Sequence, residues 1–407
     1  MALTTFAQAI FPNNLDANHK AVGRLANWNG SQYVTTGSGV AISPRWVIAV
    51  SHVGGSFFEQ DGVIYPVLQK IAHTAPNMQN ADLAVFEIGG PMRYALPMSF
   101  RPWSGPGGIQ GDTATLVGYG ETGTRTASGW SIQAGSSGTR RWANNAIDHI
   151  DVVQVMVGPN LKTSVCVFYD LDDPLGQNPV NVLGGTAVPN EGGIASWDSG
   201  GGWIVQDNLR PRVLAASAYV GTFPGSGVPN WWSHGGVGMA VYFQPYKLWI
   251  EATVPDLGVA ILDSVAMENG DLLGGSVASL NAADNIFLRT RSLNLVESEV
   301  NFPHGFIVSA TTTASPAATM DVTFKGLVDS IGAPFDLSLR NWNTSFFEIV
   351  GTGSMSSANT TYQFLGIPAG NYVSTSGRID ARLRVLGIAD EAVFFHPDID
   401  FWQMKAR

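Results

Sequence analysis

Hydrophobic positions recur in short runs, with glycine, asparagine or proline between them. Ala21-Val22-Gly23-Arg24-Leu25 reads as a strand, and Asn29-Gly30 after it is a strong hairpin-turn signal. Ser31 to Ile42 continues the pattern, and Trp46-Val47-Ile48-Ala49-Val50 is a short buried run. Ala81 to Ile88 alternates, with Leu83, Val85 and Glu87 on one face. Thr113 to Tyr119 predicts a further strand, closed by Gly118-Tyr119-Gly120. Strands resume at Val152–Val157, Thr163–Tyr169, Trp203–Val205, Val213–Tyr219 and Val237–Phe243. The helical pattern comes late, at Gln244 to Thr253.

This spacing divides the chain. Residues 1–20 form an arm, and 21–254 form a unit of many short strands in two comparable halves, joined near 120–138. A second composition begins near Val254-Pro255-Asp256 and runs over 255–407. It passes the loop Thr311–Pro316 into alternating runs at Asp321–Leu327, Phe335–Leu339, Phe346–Val350, Tyr362–Leu365, Arg382–Val385 and Asp398–Met404. Strands at that spacing predict a β-sandwich.

Composition narrows the function. Of 407 residues, 47 are Gly and 22 Pro, an excess expected of an all-β chain rich in turns. Net charge is −10 without basic clusters, which speaks against nucleic-acid binding and against a polybasic membrane contact. No apolar run is long enough for a transmembrane helix. The first residues lack a basic region, so no complete signal peptide is expected, although Ala7-Gln8-Ala9 has the form of a cleavage site. One cysteine, Cys166, excludes an intramolecular disulfide framework and is expected in the core.

Three segments carry chemistry. His52 ends the buried run Trp46–Val50, Asp82 opens an apolar strand, and Ser199 lies in Ser196-Trp197-Asp198-Ser199-Gly200-Gly201-Gly202. Each alone is an ordinary turn or strand-end residue. Together they have complementary roles. Serine is a weak nucleophile that needs an adjacent base, histidine has the pKa for it, and a buried aspartate fixes the histidine tautomer.

With these residues in place, 21–254 resembles a trypsin-like (chymotrypsin-fold) serine peptidase. Ser43-Pro44-Arg45-Trp46-Val47 through His52 resembles its histidine segment, Asp82-Leu83-Ala84 its aspartate strand, and Asp198-Ser199-Gly200-Gly201 its nucleophile motif. Gly118-Tyr119-Gly120 resembles the Gly-Trp-Gly that closes its first barrel, and Gly238 to Ile250 its last strand and helix. The order His, Asp, Ser is that of this family. The resemblance implies an all-β fold, a double six-stranded antiparallel β-barrel followed by the β-sandwich domain. It also implies a triad of His52, Asp82 and Ser199 in the cleft, and an oxyanion hole from the Trp197 and Ser199 N–H groups. Asp198 would be structural, and the substrate pocket would be lined by Gly193, Ile194, Ser217, Tyr219 and Gly238. No carboxylate stands there, so a neutral residue is expected before the scissile bond, not Lys or Arg. Peptide, protein or ester would be the substrate, with no cofactor and no metal, in a secreted, periplasmic or cell-surface bacterial protein.

The chain departs from the pattern at Trp197, where the family has glycine, and at Gly37 and Val53, where a disulfide would sit beside the histidine. Lys20 before Ala21 could mimic an activation cleavage, but Ala21–Leu25 is expected to be simply the first strand. Asp170-Leu171-Asp172-Asp173-Pro174-Leu175-Gly176 is calcium-like in composition but lacks EF-hand spacing, so a solvated acidic turn is expected. His19, His73, His149, His234, His304 and His396 receive no role. In 255–407, Trp342 or Trp402 could stack on a carbohydrate, with core packing the expected alternative. The functional alternatives are an esterase with the same triad and an inactive scaffold with a peptidase fold.

Overall fold

The computed structural model describes residues 17–74, 80–126, 128–173, 181–185, 187–207, 210–259, 261–269, 271–276, 280, 288–291, 304–312, 319–328, 332–374, 377–386 and 397–406. Residues 1–16 of the arm (with Ala7–Ala9), Pro174–Gly176, Thr313–Pro316 and His396 lie outside them. The chain divides into two compact units, Met1–Leu257 and Gly258–Arg407. Among the described residues no helix is long and apolar enough to cross a membrane.

In the first unit a 3-10 turn, Ala17–Ala21, leads into six strands. These are β1 (Val22–Trp28), β2 (Tyr33–Ala41), β3 (Trp46–Ala49), β4 (Phe57–Gln60), β5 (Val63–Ala72) and β6 (Ala84–Ile88). They close an antiparallel barrel in the order β1-β2-β3-β6-β5-β4. The first hairpin turns at Asn29, whose Oδ1 accepts the N–H groups of Ser31 and Gln32, both at 3.0 Å. Lys20 is ion-paired to Asp61 at 3.1 Å, and Ala21 and Val22 are buried, so the chain passes from turn to strand as expected.

The remaining strands of this unit are β7 (Thr113–Gly118), β8 (Thr122–Thr126), β9 (Gly129–Gln133), β10 (Arg141–Ala146), β11 (His149–Val157), β12 (Asn160–Asp170), β13 (Gly202–Asp207), β14 (Arg210–Gly221) and β15 (Val237–Tyr242). Seven of them form one sheet, β10-β7-β13-β14-β15-β12-β11, while β8 and β9 pair as a ribbon. The second half is thus a seven-stranded antiparallel sheet, in keeping with the expected all-β unit of two barrel-like halves. The join differs from expectation. The barrel is complete at Ile88, and β7 pairs with β10 and β13, so Gly118-Tyr119-Gly120 belongs to the second sheet. Helix α1 (Lys247–Thr253) follows and buries Ile250. One continuous core takes residues from both halves, including Val47, Phe58 and Val85 from the barrel with Val213, Ala216 and Val241 from the sheet.

The second unit holds β16 (Ile261–Asn269), β17 (Asp271–Gly274), β18 (Leu288–Arg291), β19 (His304–Thr311), β20 (Thr319–Val328), β21 (Ala333–Arg340), β22 (Phe347–Met355), β23 (Thr360–Pro368), β24 (Arg378–Val385) and β25 (Pro397–Ala406). They form two five-stranded sheets, β16-β19-β24-β21-β22 and β17-β18-β25-β20-β23. The strict alternation of β20 sends Met320, Val322 and Phe324 inward. There Phe324 meets Phe335 of the facing sheet and stacks on Trp402 with centroids 5.3 Å apart. Trp402 is 2% exposed, so it cannot offer a face to a sugar. Trp342 is half-buried, donates to the Tyr372 carbonyl at 3.1 Å, and has the Arg340 guanidinium over its ring.

Phe324 is the hinge of this core, because its ring touches aromatic partners from both sheets. Phe324→Ala is expected to cost about 3–5 kcal/mol, the usual price of an emptied aromatic site. Urea unfolding of the full chain should show one early transition; an unchanged midpoint would contradict the packing account.

Candidate active site

Strand register brings His52 and Asp82 together. β3 and β6 pair with Ala49 opposite Ala84. Continuing the antiparallel ladder past that pair carries the chain to His52 on one side and back to Asp82 on the other. His52 Nδ1 lies 2.6 Å from Asp82 Oδ2, and the His52 backbone N–H donates to Oδ1 at 2.9 Å. Ser51 Oγ donates to Oδ1 at 2.7 Å, and the Tyr219 hydroxyl to Oδ2 at 2.6 Å. Asp82 itself is fixed by its N–H to Ser164 Oγ at 2.9 Å. His73 brackets it, accepting the Ala81 N–H on Nδ1 and donating its own N–H to the Leu83 carbonyl.

Asp82 has 0% exposure. Burial alone would raise its carboxyl pKa, but the hydrogen bond and charge of His52, then the bonds from Tyr219 and Ser51, hold it at about 2. The Tyr219 hydroxyl is pushed well above its usual range by burial and by the Asp82 charge, so it remains a donor. Its ring stacks 5.8 Å from that of His52.

Ser199 comes from the turn before β13. Its backbone carbonyl accepts the Ser38 N–H at 2.8 Å, and Ser38 Oγ donates to the Trp197 carbonyl at 3.2 Å. Trp197 has φ +73°, the left-handed conformation that a glycine takes freely. A non-glycine residue there costs about 1–3 kcal/mol, so surrounding bonds must impose it. Asp198 supplies two of them. Its Oδ1 accepts the Gly120 N–H at 2.7 Å and its Oδ2 the Ala195 N–H at 2.9 Å. A Cβ at Gly118 or Gly120 would stand 2.2 or 2.4 Å from the Asp198 carboxylate, which explains both glycines. The buried guanidinium of Arg141 adds charge nearby and donates to the Gly120 carbonyl. Asp198 thus has its partners inside the continuous chain. Among the described residues neither the Trp197 nor the Ser199 N–H donates to the protein. Ser199 Oγ bonds the Ala218 carbonyl at 3.5 Å, and no hydrogen bond joins it to His52.

The residues expected in a pocket separate into two groups. Gly193, Ile194 and Gly238 gather round Tyr169, whose hydroxyl accepts the Ile194 N–H at 2.6 Å. A Cβ at Gly193 or Gly238 would come within 2.5 or 2.2 Å of that phenol. Ser217 and Tyr219 have other hydrogen-bond partners. Ser217 is buried and accepts from the Trp203 indole at 3.2 Å, and Tyr219 serves Asp82. The reason is a bulge in β14. Ser217 faces Ala240 and Tyr219 faces Met239, leaving Ala218 as the extra residue. Tyr169, Ser51 and His73 were not singled out from sequence. Their only signal was position: Tyr169 in β12, Ser51 in the turn just before His52, and His73 just past the end of β5.

The acidic turn is not solvated. Asp170 is fully buried and Asp172 nearly so, and Asp148 and Glu191 stand with them. Glu191 accepts N–H groups from Asp172 and Val188, and Asp170 those of Val182 and Leu183. Burial, reinforced by the neighbouring carboxylates, raises Asp148 to about 7, Asp172 to about 6 and Glu191 to about 8. Among the described residues no His, Cys, Asp and Glu group could hold a metal ion. Cys166 is buried, and burial followed by the Asp82 charge pushes its thiol far up, which makes it inert core.

A carboxyl with a raised pKa keeps its proton in the folded chain and loses it in the unfolded one. Its contribution is full below the unfolded value, about 4, and is lost as pH rises through the folded value. Unfolding free energy should therefore fall between about pH 5 and pH 8, and Glu191→Gln should flatten the upper part of that slope. Urea unfolding across this range measures it; a profile that is flat in the parent chain would contradict the burial argument.

No family model matches the chain, and no curated protein matches it. Among solved structures it is similar to neuropsin, a serine protease expressed in the limbic system of mouse brain. The pairing covers 59% of this chain and 96% of that one, at 13% identity and a TM-score of 0.38.

Proposed function

We propose that the first unit is a serine hydrolase in which Ser199 is the nucleophile, His52 the general base and then general acid, and Asp82 the residue that orients it. The observation that carries this reading is the Asp82 carboxylate, which receives His52 Nδ1 at 2.6 Å with three further donors around it. With Nδ1 committed, the imidazole presents Nε2 as the basic atom, the tautomer that can take the proton from a serine hydroxyl. Ser199 Oγ attacks the acyl carbon, and the new oxyanion is met by the uncommitted N–H groups of Trp197 and Ser199. Donors already aimed at that charge are worth about 3–4 kcal/mol each. His52 then returns the proton to the leaving amine or alcohol. Water reverses the sequence and frees Ser199.

Endopeptidase activity is the favoured form, with a neutral residue before the scissile bond. Gly193, Ile194, Gly238 and the Tyr169 phenol present no carboxylate to Lys or Arg. Esterase activity uses the same acyl-enzyme, so the two are separated by comparing short acyl esters with peptide amides. The family resemblance extends the proposal to an exported protein. An inactive scaffold is favoured only by the Ser199 hydroxyl, which bonds Ala218 rather than His52.

Intact-mass labelling with a fluorophosphonate decides between them. One adduct is expected on the parent chain, none on Ser199→Ala, and labelling about 10⁴-fold slower on Asp82→Asn. No adduct on the parent chain would favour the scaffold. Because Asp198 is already satisfied by Gly120 and Ala195, labelling is expected without cleavage near Lys20. Amino-terminal sequencing of the labelled chain checks this; a start at Ala21 in the labelled fraction alone would contradict it.

A further inference from the structure

Lys70 lies on β5, across the ladder from Phe86 of β6, and its ammonium sits 5.6 Å over the Phe86 ring. From there Nζ reaches the turn that bears the catalytic histidine. It donates to the Ser51 carbonyl at 2.7 Å and to the Val53 carbonyl at 2.7 Å. These are the residues on either side of His52. The peptide between Ser51 and His52 is therefore held at both edges: its carbonyl by Lys70, its N–H by Asp82 Oδ1 at 2.9 Å. Val53, one residue beyond, is held by the same ammonium.

We infer that Lys70 is a positioning residue, an ionic staple that fixes the His52 turn so that the imaginary line from Asp82 through the imidazole stays aimed at Ser199. The inference rests on the serine hydrolase reading above. No covalent tie does this work, because the chain's single cysteine, Cys166, lies buried in β12. An ammonium suits the task. It has three donors and no acceptor, so it can hold two carbonyls at once. Burial, with the Lys162 charge, lowers the Lys70 pKa, and the Asp82 charge works against that shift.

The consequence separates positioning from stability. Lys70 is an exposed residue whose ammonium is partly covered where it meets the two carbonyls, so water can take over both when the side chain is removed. Water does not restore the geometry. Misplacing a catalytic group by about 1 Å can cost 100-fold.

The test uses the full chain and a fluorophosphonate probe, with the maximal inactivation rate and the probe's apparent affinity measured separately. Lys70→Met should slow the maximal rate by about 10- to 100-fold, leave the affinity within about twofold, and leave the Tm nearly unchanged. Lys70→Arg, which can still donate to two carbonyls, should recover most of the rate. Labelling of Lys70→Met at the parent rate would overturn the inference and leave the hydrolase reading intact. So would a slow Lys70→Met that also melts early and is not rescued by Lys70→Arg, since that pattern is general loosening. No labelling of the parent chain would remove the hydrolase reading and this inference with it.

Discussion

A carboxylate with no exposed surface must be given back the donors it loses on leaving water, and Asp82 is given four. Ser51 Oγ and the His52 N–H serve one oxygen; His52 Nδ1 and the Tyr219 hydroxyl serve the other. Losing one would leave a buried charge short by about 1–3 kcal/mol or more. The four donors come from two parts of the unit, the turn after β3 in the barrel and β14 in the seven-stranded sheet. The carboxylate therefore ties barrel to sheet, and the position of His52 follows from that tie.

Asp198 plays the matching part for Ser199. Its two oxygens accept the N–H groups of Gly120 and Ala195, and the glycines at 118 and 120 exist to let it approach. That anchorage, with Ser38 on the Trp197 carbonyl, holds an indole-bearing residue at φ +73°. The strain is local, and among the described residues the N–H groups of Trp197 and Ser199 stay uncommitted. A glycine would meet this requirement without strain; here the surrounding hydrogen bonds impose it.

Much of this was legible in the sequence, and what was not has identifiable physical causes. The three chemical segments stand out because His52 ends a buried run, Asp82 opens an apolar strand and Ser199 sits in a glycine-rich turn. Alternation located β20 and β25 well, because each buries one face of a sandwich. The bond from Tyr219 to Asp82 was not legible, because the extra residue Ala218 breaks the period in β14. β7 was assigned to the wrong half, because a strand's composition does not say which neighbour it pairs with. Asp170 and Asp172 looked solvated because acidic turns usually are; burial of carboxyls needs backbone N–H partners that sequence does not display. Trp402 was ambiguous for the same reason, since its stacking partner, Phe324, lies 78 positions away in sequence and on the neighbouring strand.

The central claim is that Asp82 holds His52 through a short, buried hydrogen bond to Nδ1. Proton NMR of the full chain tests it most directly. A single exchange-protected resonance far downfield of the amide region is predicted, absent in His52→Ala and in Asp82→Asn, and shifted in Tyr219→Phe, which removes the second donor to the same oxygen. No such resonance in the parent chain, or one that survives Asp82→Asn, would contradict the account.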